Sequence, residues 1–431
     1  MPKAIVLGGY GLIGQACMRA LSQAGFEVSG IGRSAYSAKA VAPTAEWIIR
    51  DIPTITSEEW LAILDGVDVI VNASGALQDG SKDNLRAIHV TAVSRLAEAA
   101  AALPVRFIQI SAAGVSEKAS TAFFRTKAQG DGILSTRVKN AIILRPTLVL
   151  SPEAYGGTAL LRAVAAIPFI QPDVLPNALI QTVFIEDVAD AVVASAQGKI
   201  PDGTIADITE HRAHRFGDLL TMVRRWQGWP TPIAHPSIPA PFVFITGKIA
   251  DLFGHLGWRS PLRSTALLVL SGGIRGNPDI WEKAGGKPCR PLDETLSLLP
   301  ATRQERLFSR AYIALPLAIA SLAIFWLLSG LITLFDLVRA MSVLTDRSAP
   351  SWMIAPAVVG GAVADIFLGI AILWRPWTKR AALGMMGLSA AYLIGGLIVA
   401  PDLWSDPLGP MVKVLPVMTL AIMVSLLMEE R

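Results

Sequence analysis

Residues 8–14 read Gly8-Gly9-Tyr10-Gly11-Leu12-Ile13-Gly14, directly after the apolar run Ala4-Ile5-Val6-Leu7. The spacing Gly-x-x-Gly-x-x-Gly suits a turn that cradles a phosphate. Gly8 permits the tight exit from a strand, Gly11 lets the backbone approach a pyrophosphate, and Gly14 lets the next helix pack close to the sheet. That helix is predicted over residues 12–24, and its N-terminal dipole faces the same anion, so Tyr10, Leu12 and Ile13 complete the turn. The chemistry predicted is dinucleotide binding. Which dinucleotide is decided at the end of the second strand, in Val28-Ser29-Gly30-Ile31-Gly32-Arg33-Ser34. No acid occurs between Glu27 and Glu46 to hold ribose hydroxyls, whereas Arg33 is placed to pair with a 2′-phosphate and stack on adenine. The expectation is NADP(H) in preference to NAD(H), against the plainer alternative of a solvated surface arginine.

The elements that must position these groups follow from the apolar pattern. Short strands at residues 4–7, 28–31, 47–49, 67–71, 107–110 and 141–144 alternate with helical stretches such as 84–102. Parallel strands need crossover helices, so the fold class is α/β, a Rossmann-type doubly wound parallel sheet. A strand at 205–208 and a helix at 216–227 close that domain, predicted over residues 1–235. Pro230, Pro232, Pro236, Pro239 and Pro241 form a joint. Residues 236–307 then read as a Pro/Gly-rich connecting or membrane-surface subdomain, with a lid over the substrate cleft as the alternative.

Beyond it the chain changes solvent. Residues 311–335 carry no charge, and as a helix they extend about 37 Å, enough to cross a hydrocarbon core of about 30 Å. Further apolar runs at 353–374, 381–400 and 411–428 predict an all-α four-helix transmembrane domain over residues 308–431, the last run weakened by Lys413 and Pro416. Trp352, Trp374, Trp377 and Trp404 fall near span ends, as interfacial anchors should. Asp365 lies mid-span, where a carboxylate is costly. A hydrogen bond to Ser389 or Tyr392 is the structural account, and a polar point on a headgroup or proton path the functional one.

Composition excludes some classes. Lys plus Arg number 38 against 34 acids, without a basic block, so no nucleic-acid partner is expected. The two cysteines, Cys17 and Cys289, show neither disulfide nor zinc spacing, which predicts no metal and a reduced compartment. The first residues lack the pattern of a cleaved signal peptide. Arg303, Arg306, Arg310, Arg375, Lys379 and Arg380 flank one side of the spans, against Arg339, Arg347 and Lys413 on the other. The bias predicts an inner (cytoplasmic) membrane protein, with both termini and the nucleotide domain in the cytoplasm.

Residues 1–230 resemble the short-chain dehydrogenase/reductase superfamily in its extended or atypical branch, close to NmrA-like proteins and the accessory nucleotide-binding subunit of respiratory complex I. The matching stretches are the glycine loop, Arg50-Asp51-Ile52, Asn72-Ala73-Ser74-Gly75, Ser111 and Arg145-Pro146-Thr147. The resemblance implies that Asp51 and Ile52 contact adenine, that Ala73, Ser74 and Gly75 wall the adenine ribose, and that Pro146 and Thr147 border the nicotinamide. Active members of the family place a Tyr-x-x-x-Lys pair beside the substrate carbonyl. Here the segment is Phe123-Phe124-Arg125-Thr126-Lys127, so the lysine is present and the phenol is not. Ser111 and Lys127 keep family positions, and Tyr155, in a loop that faces substrate in the family, is the candidate replacement hydroxyl. Residues 308–431 resemble the DoxX-like family of four-helix membrane domains, through Leu403-Trp404-Ser405-Asp406-Pro407-Leu408-Gly409-Pro410, Lys413 and Glu429-Glu430-Arg431. Two functions follow. One is an NADP(H)-dependent oxidoreductase held at the bilayer for a lipophilic carbonyl or quinone. The other is a non-catalytic NADPH-binding sensor, or a subunit that stabilises a membrane-protein partner.

Overall fold

The computed structural model describes all residues except 81, 82, 259, 261, 348 and 429–431. The expected Glu429-Glu430-Arg431 feature lies outside the described residues. Two compact units emerge, residues 1–251 with 260–306, and residues 252–259 with 307–431.

The first unit is built on seven parallel strands. They are β1 (Lys3–Leu7), β2 (Glu27–Gly32), β3 (Glu46–Ile49), β4 (Val69–Asn72), β5 (Arg106–Ile110), β6 (Ile142–Pro146) and a last strand, Ile205–Ile208. Their spatial order is β3-β2-β1-β4-β5-β6 followed by the last strand. The order reverses between β1 and β4, whose carboxyl ends carry the glycine loop and the Asn72–Gly75 turn, the place where such sheets bind ligands. Both faces are covered, which is why the strands read as unbroken apolar runs and not as alternating ones. Val6, Val71 and Ile108 bury one face beneath the helices Leu12–Gln23 and Ile185–Ala196. Ile5, Ile70 and Phe107 bury the other against Trp60 and the helix Ala92–Ala101.

The sheet domain does not stop at residue 235. Trp281 and Cys289 join the first apolar cluster, and Leu292, Leu296 and Leu299 pack with Phe216 and Leu219 in another. Polar ties reinforce this: buried Glu210 accepts from the Leu292 N–H at 3.0 Å and sits 3.2 Å from His214 Nε2. The distal part of the connecting segment is thus a structural piece of the nucleotide unit.

The second unit contains the helices Arg303–Phe335 (which begins in the first unit), Ser351–Ala371 and Thr378–Val399, each long and apolar enough to cross a bilayer. The fourth apolar run of the sequence forms the helix Val414–Leu427, of 14 residues. At about 1.5 Å per residue it reaches roughly 21 Å, short of a full crossing. Residues 411–413 stay outside it, because Lys413 and the preceding Gly409-Pro410 turn do not suit a helix buried in hydrocarbon. Asp365 ties three helices together: Ser329 Oγ donates to one carboxylate oxygen at 2.7 Å and Tyr392 Oη to the other at 2.8 Å. Tyr392 is one of the two donors expected from sequence. The second is Ser329 on the preceding span, while Ser389 is buried and, among the described residues, makes no hydrogen bond to Asp365.

Candidate active site

Gly8 leaves β1 at φ +70°, a conformation few side chains adopt, and its N–H is held by the Ile31 carbonyl at 2.9 Å. A Cβ on Gly8 would lie 3.0 Å from Ser74 Cα, and one on Gly14 would run into the Gly8 carbonyl. The glycine turn and the Asn72–Gly75 turn therefore touch. Gly11 N–H closes the loop onto the Gly8 carbonyl at 2.8 Å, and Gly11 caps the helix Leu12–Gln23 with no side-chain hydrogen bond at the cap. That open first turn, at the switch point of a parallel sheet, fits a pyrophosphate. Asn72 shapes the opposite wall: it donates to Gln109 at 2.9 Å and accepts from Ser74 N–H at 3.1 Å and Ser74 Oγ at 2.5 Å.

At the adenosine end, Tyr10 lies over Gly32, and its hydroxyl accepts the Arg33 N–H at 3.1 Å. Arg33 Nη2 pairs with Asp83 at 2.9 Å, and the Arg33 guanidinium, partly desolvated, is held protonated by Asp83 with help from Tyr10 and Asp51. Asp51 is exposed and Ile52 buried. The expected NADP(H) contact thus has a carboxylate beside it that sequence reading missed. Asp83 is 50 residues along the chain from Arg33, and only the loop after β4 brings it across.

At the other end, Lys127 lies on the helix Ala122–Arg137 and is buried. Its Nζ donates to the Ile110 carbonyl at 3.0 Å and lies beside Gly75. Burial pushes the Lys127 amine down to about 8, against the pull of Asp131. Phe123 stands one turn earlier, its ring centre 6.0 Å from Lys127 Nζ and edge-on to His89 at 5.8 Å. His89 accepts from the Ala76 N–H at 3.3 Å through Nε2, and its Nδ1 lies 2.9 Å from Thr126 Oγ1. Since Thr126 Oγ1 donates to the Ala122 carbonyl at 2.9 Å, Nδ1 is the protonated nitrogen of a neutral ring. Burial, with Lys127 nearby, pushes the His89 imidazolium down to about 3, so the ring stays neutral.

Ser111 follows β5 and donates to Asp131 Oδ2 at 2.8 Å. The same oxygen accepts Arg145 Nε at 3.1 Å and Nη2 at 3.0 Å. Burial raises the Asp131 carboxyl above its usual range, while Ser111, Arg145 and Lys127 pull it back. In this arrangement the Ser111 hydroxyl offers lone pairs, not a proton, toward the cleft. Pro146 is buried in the sheet, and Thr147 Oγ1 donates to Thr209 at 2.9 Å. Tyr155 caps the helix Gly156–Ala165 and is 57% exposed. Among the described residues no hydrogen bond or ring contact joins it to Ser111 or Lys127. The structure thus gathers Gly75, Ser111 and Lys127, leaves Tyr155 apart, and adds His89 and Asp131.

Residues 4–205 match the NAD-dependent epimerase/dehydratase family and residues 323–422 the DoxX-like family. The chain is 22% identical over 267 residues to the ceramide reductase of Caulobacter vibrioides, covering 58% of this chain and 78% of that protein. Among solved structures, UDP-glucose 4-epimerase of Thermotoga maritima superposes with a TM-score of 0.53 at 13% identity, over 72% of this chain and 99% of that one. The enzyme WbmH of Bordetella bronchiseptica, in complex with NAD+, gives 0.53 at 17% identity, over 69% and 97%. The chain therefore joins an epimerase-like, short-chain-dehydrogenase-type Rossmann domain to a DoxX-like membrane domain.

Proposed function

We propose that this chain is a membrane-anchored NADP(H)-dependent oxidoreductase that reduces a lipophilic carbonyl, a ceramide-like ketone or a quinone, at the cytoplasmic face of the inner membrane. One observation carries the reading: a dinucleotide-type cleft and three bilayer-length helices belong to one chain. A bilayer concentrates a substrate that water does not dissolve. The likeness to a protein named ceramide reductase supports the lipid class of substrate, and the excess of basic residues beside Arg303 and Arg375 supports the orientation.

The dinucleotide, when bound, supplies the hydride. In this reading Gly8, Tyr10, Gly11, Leu12, Ile13 and Gly14 hold its pyrophosphate, and Arg33, Asp51 and Ile52 its adenosine end. Ala73, Ser74, Gly75, Pro146 and Thr147 line the remainder. Phe123 cannot supply the proton that the reduced carbonyl oxygen needs. Lys127 can: its ammonium sits beside Gly75 with one hydrogen on the Ile110 carbonyl, and burial brings its acidity into the range useful near neutral pH. Ser111, fixed on Asp131, orients the cleft without donating.

The full chain in proteoliposomes, given NADPH and a long-chain ketone or a quinone, should oxidise NADPH, and Lys127→Met should abolish this. Phe123→Tyr should leave activity intact or raise it, because a phenol one turn from Lys127 restores the family's proton donor. A second reading, a non-catalytic NADPH-binding sensor or stabilising subunit of a membrane complex, is favoured by Phe123 itself. Tight retention of NADPH with no turnover of any ketone or quinone, by the native chain and by Phe123→Tyr alike, would establish it.

A further inference from the structure

The helix Ala240–His255 has two apolar sides, and among the described residues only one of them is covered. Val243 and Ala250 are buried, and Leu267 of the neighbouring helix Ser264–Ser271 packs against Gly247 between them. Asp251 clamps the pair, accepting Ser264 Oγ at 2.5 Å and Arg263 Nε at 3.1 Å. On the other side Phe242, Ile245, Ile249 and Leu252 are 62%, 52%, 51% and 65% exposed. Their spacing puts them on one stripe, with the exposed Lys248 at its edge.

What covers this stripe is indicated by where the helix ends. The last turn of the helix and the residues after it, 252–259, are grouped with the membrane unit. The Arg375 N–H donates to the Leu256 carbonyl at 3.0 Å, and the Trp258 indole donates to the Leu373 carbonyl at 2.7 Å. Leu373 and Arg375 lie just past the end of the second span, beside the stacked Trp374 and Trp377 that mark the bilayer boundary. The segment that follows the helix is therefore tied to the end of the second span, and an exposed apolar stripe edged by a lysine is the pattern of a helix that lies on lipid.

We propose that the helix Ala240–His255 lies in the membrane interface, its Phe242, Ile245, Ile249 and Leu252 stripe seated in the lipid and Lys248 reaching the phosphates. The proposal does not depend on catalysis. It makes the helix a third kind of attachment beside the spans and the interfacial tryptophans, and commits the stripe to a bilayer and not to a protein partner.

The test uses the full chain in nanodiscs of phosphatidylcholine and phosphatidylglycerol, with single cysteines Ile245→Cys or Ile249→Cys carrying a small fluorophore. Cys17 and Cys289 are buried, with burial pushing both thiols up to about 12, so they stay unlabelled. Lys39→Cys, exposed on the nucleotide unit, is the aqueous control. Lipids with a shallow nitroxide should quench both labels several-fold more than the control, and aqueous iodide several-fold less. Hydrogen exchange of the unmodified chain should show residues 240–255 slower in nanodiscs than in a lipid-free polymer. Labels quenched by iodide like the control would overturn the proposal, and so would disulfide formation between two Ile245→Cys chains, which would mean a second copy covers the stripe.

Discussion

In the proposed function Arg33 and Lys127 are the two cations that hold the nucleotide, and each has a partner that changes what to expect of it. Arg33 is engaged with Asp83 at 2.9 Å. A 2′-phosphate would have to displace that carboxylate, whereas a bare ribose hydroxyl could donate to it. Asp83→Asn should therefore tighten NADPH and leave NADH little changed, while Arg33→Ala should cost NADPH most of its advantage, on the order of 1.5 to 3 kcal/mol for a charge-assisted phosphate contact. Both are read by titration calorimetry, and equal affinities for the two nucleotides in the native chain would remove Arg33 from the reading. For Lys127 the sign of the pH effect separates function from folding. Its ammonium persists in the folded chain only below about 8, against an ordinary value of 10.5. Turnover should fall about tenfold per pH unit above that point. The folding contribution of this group runs the other way. Between about 8 and 10.5 the unfolded chain holds a proton that the folded chain has released, so stability rises with pH in that window. A parallel loss of melting temperature would mark the activity loss as unfolding. At this scale the glycine loop and Arg33 could be read from their spacing after a strand, and Lys127 only through the family resemblance. His89 and Asp131 were not. A lone histidine in a helical stretch and an acid four residues after a lysine both read as an ordinary helix surface, and only Arg145 from β6 and Thr126 from the next helix reveal that they are buried.

The helices that carry this cluster depend on one close approach. Residues 87–91 form a π-turn that swings His89 toward the lysine helix, a distortion often found at functional sites. There the His89 carbonyl passes directly over Gly130, where any Cβ would collide with it. Gly130→Ala should push the two helices apart, destabilise the first unit by about 1 to 3 kcal/mol as overpacking does, and weaken nucleotide binding through Lys127, which sits one turn earlier on the same helix. Calorimetric melting with and without NADPH measures both; an unchanged melting temperature would show that the helices part at no cost. The alternation of strands and helices was legible because parallel strands are apolar on both faces, and the Rossmann order followed from it. Helix lengths were less so. Apolar runs do not show where a membrane helix stops, and Val414–Leu427 is shorter than its run because Lys413 cannot enter the hydrocarbon. The return of residues 277–300 onto the sheet was also hidden, since its anchors Trp281, Cys289 and Leu292 are scattered among turns with no period.

In the membrane unit the question is whether polar groups serve only packing. Ser329, Asp365 and Tyr392 come from three successive long helices, and both Asp365 oxygens accept from hydroxyls. Tyr392 also stacks on Trp326, ring centres 6.5 Å apart. A carboxylate at mid-span is costly by about 2.5 to 3.5 kcal/mol on insertion scales, so its retention calls for compensation, and two hydroxyl donors supply it. Asp365 then acts as the pin that sets how the three helices pack. Asp365→Asn keeps an acceptor for Ser329 and a polar group against Tyr392, so insertion, thermal stability in detergent and NADPH oxidation should change little. Asp365→Leu fills the space but strands both hydroxyls in the bundle, and should lower the detergent melting temperature while leaving nucleotide affinity intact. Melting curves, NADPH titration and turnover on the two variants separate the alternatives. If Asp365→Asn inserts, folds and binds NADPH yet loses turnover, the carboxylate has work to do on substrate or protons, and part of the reaction takes place within the bilayer.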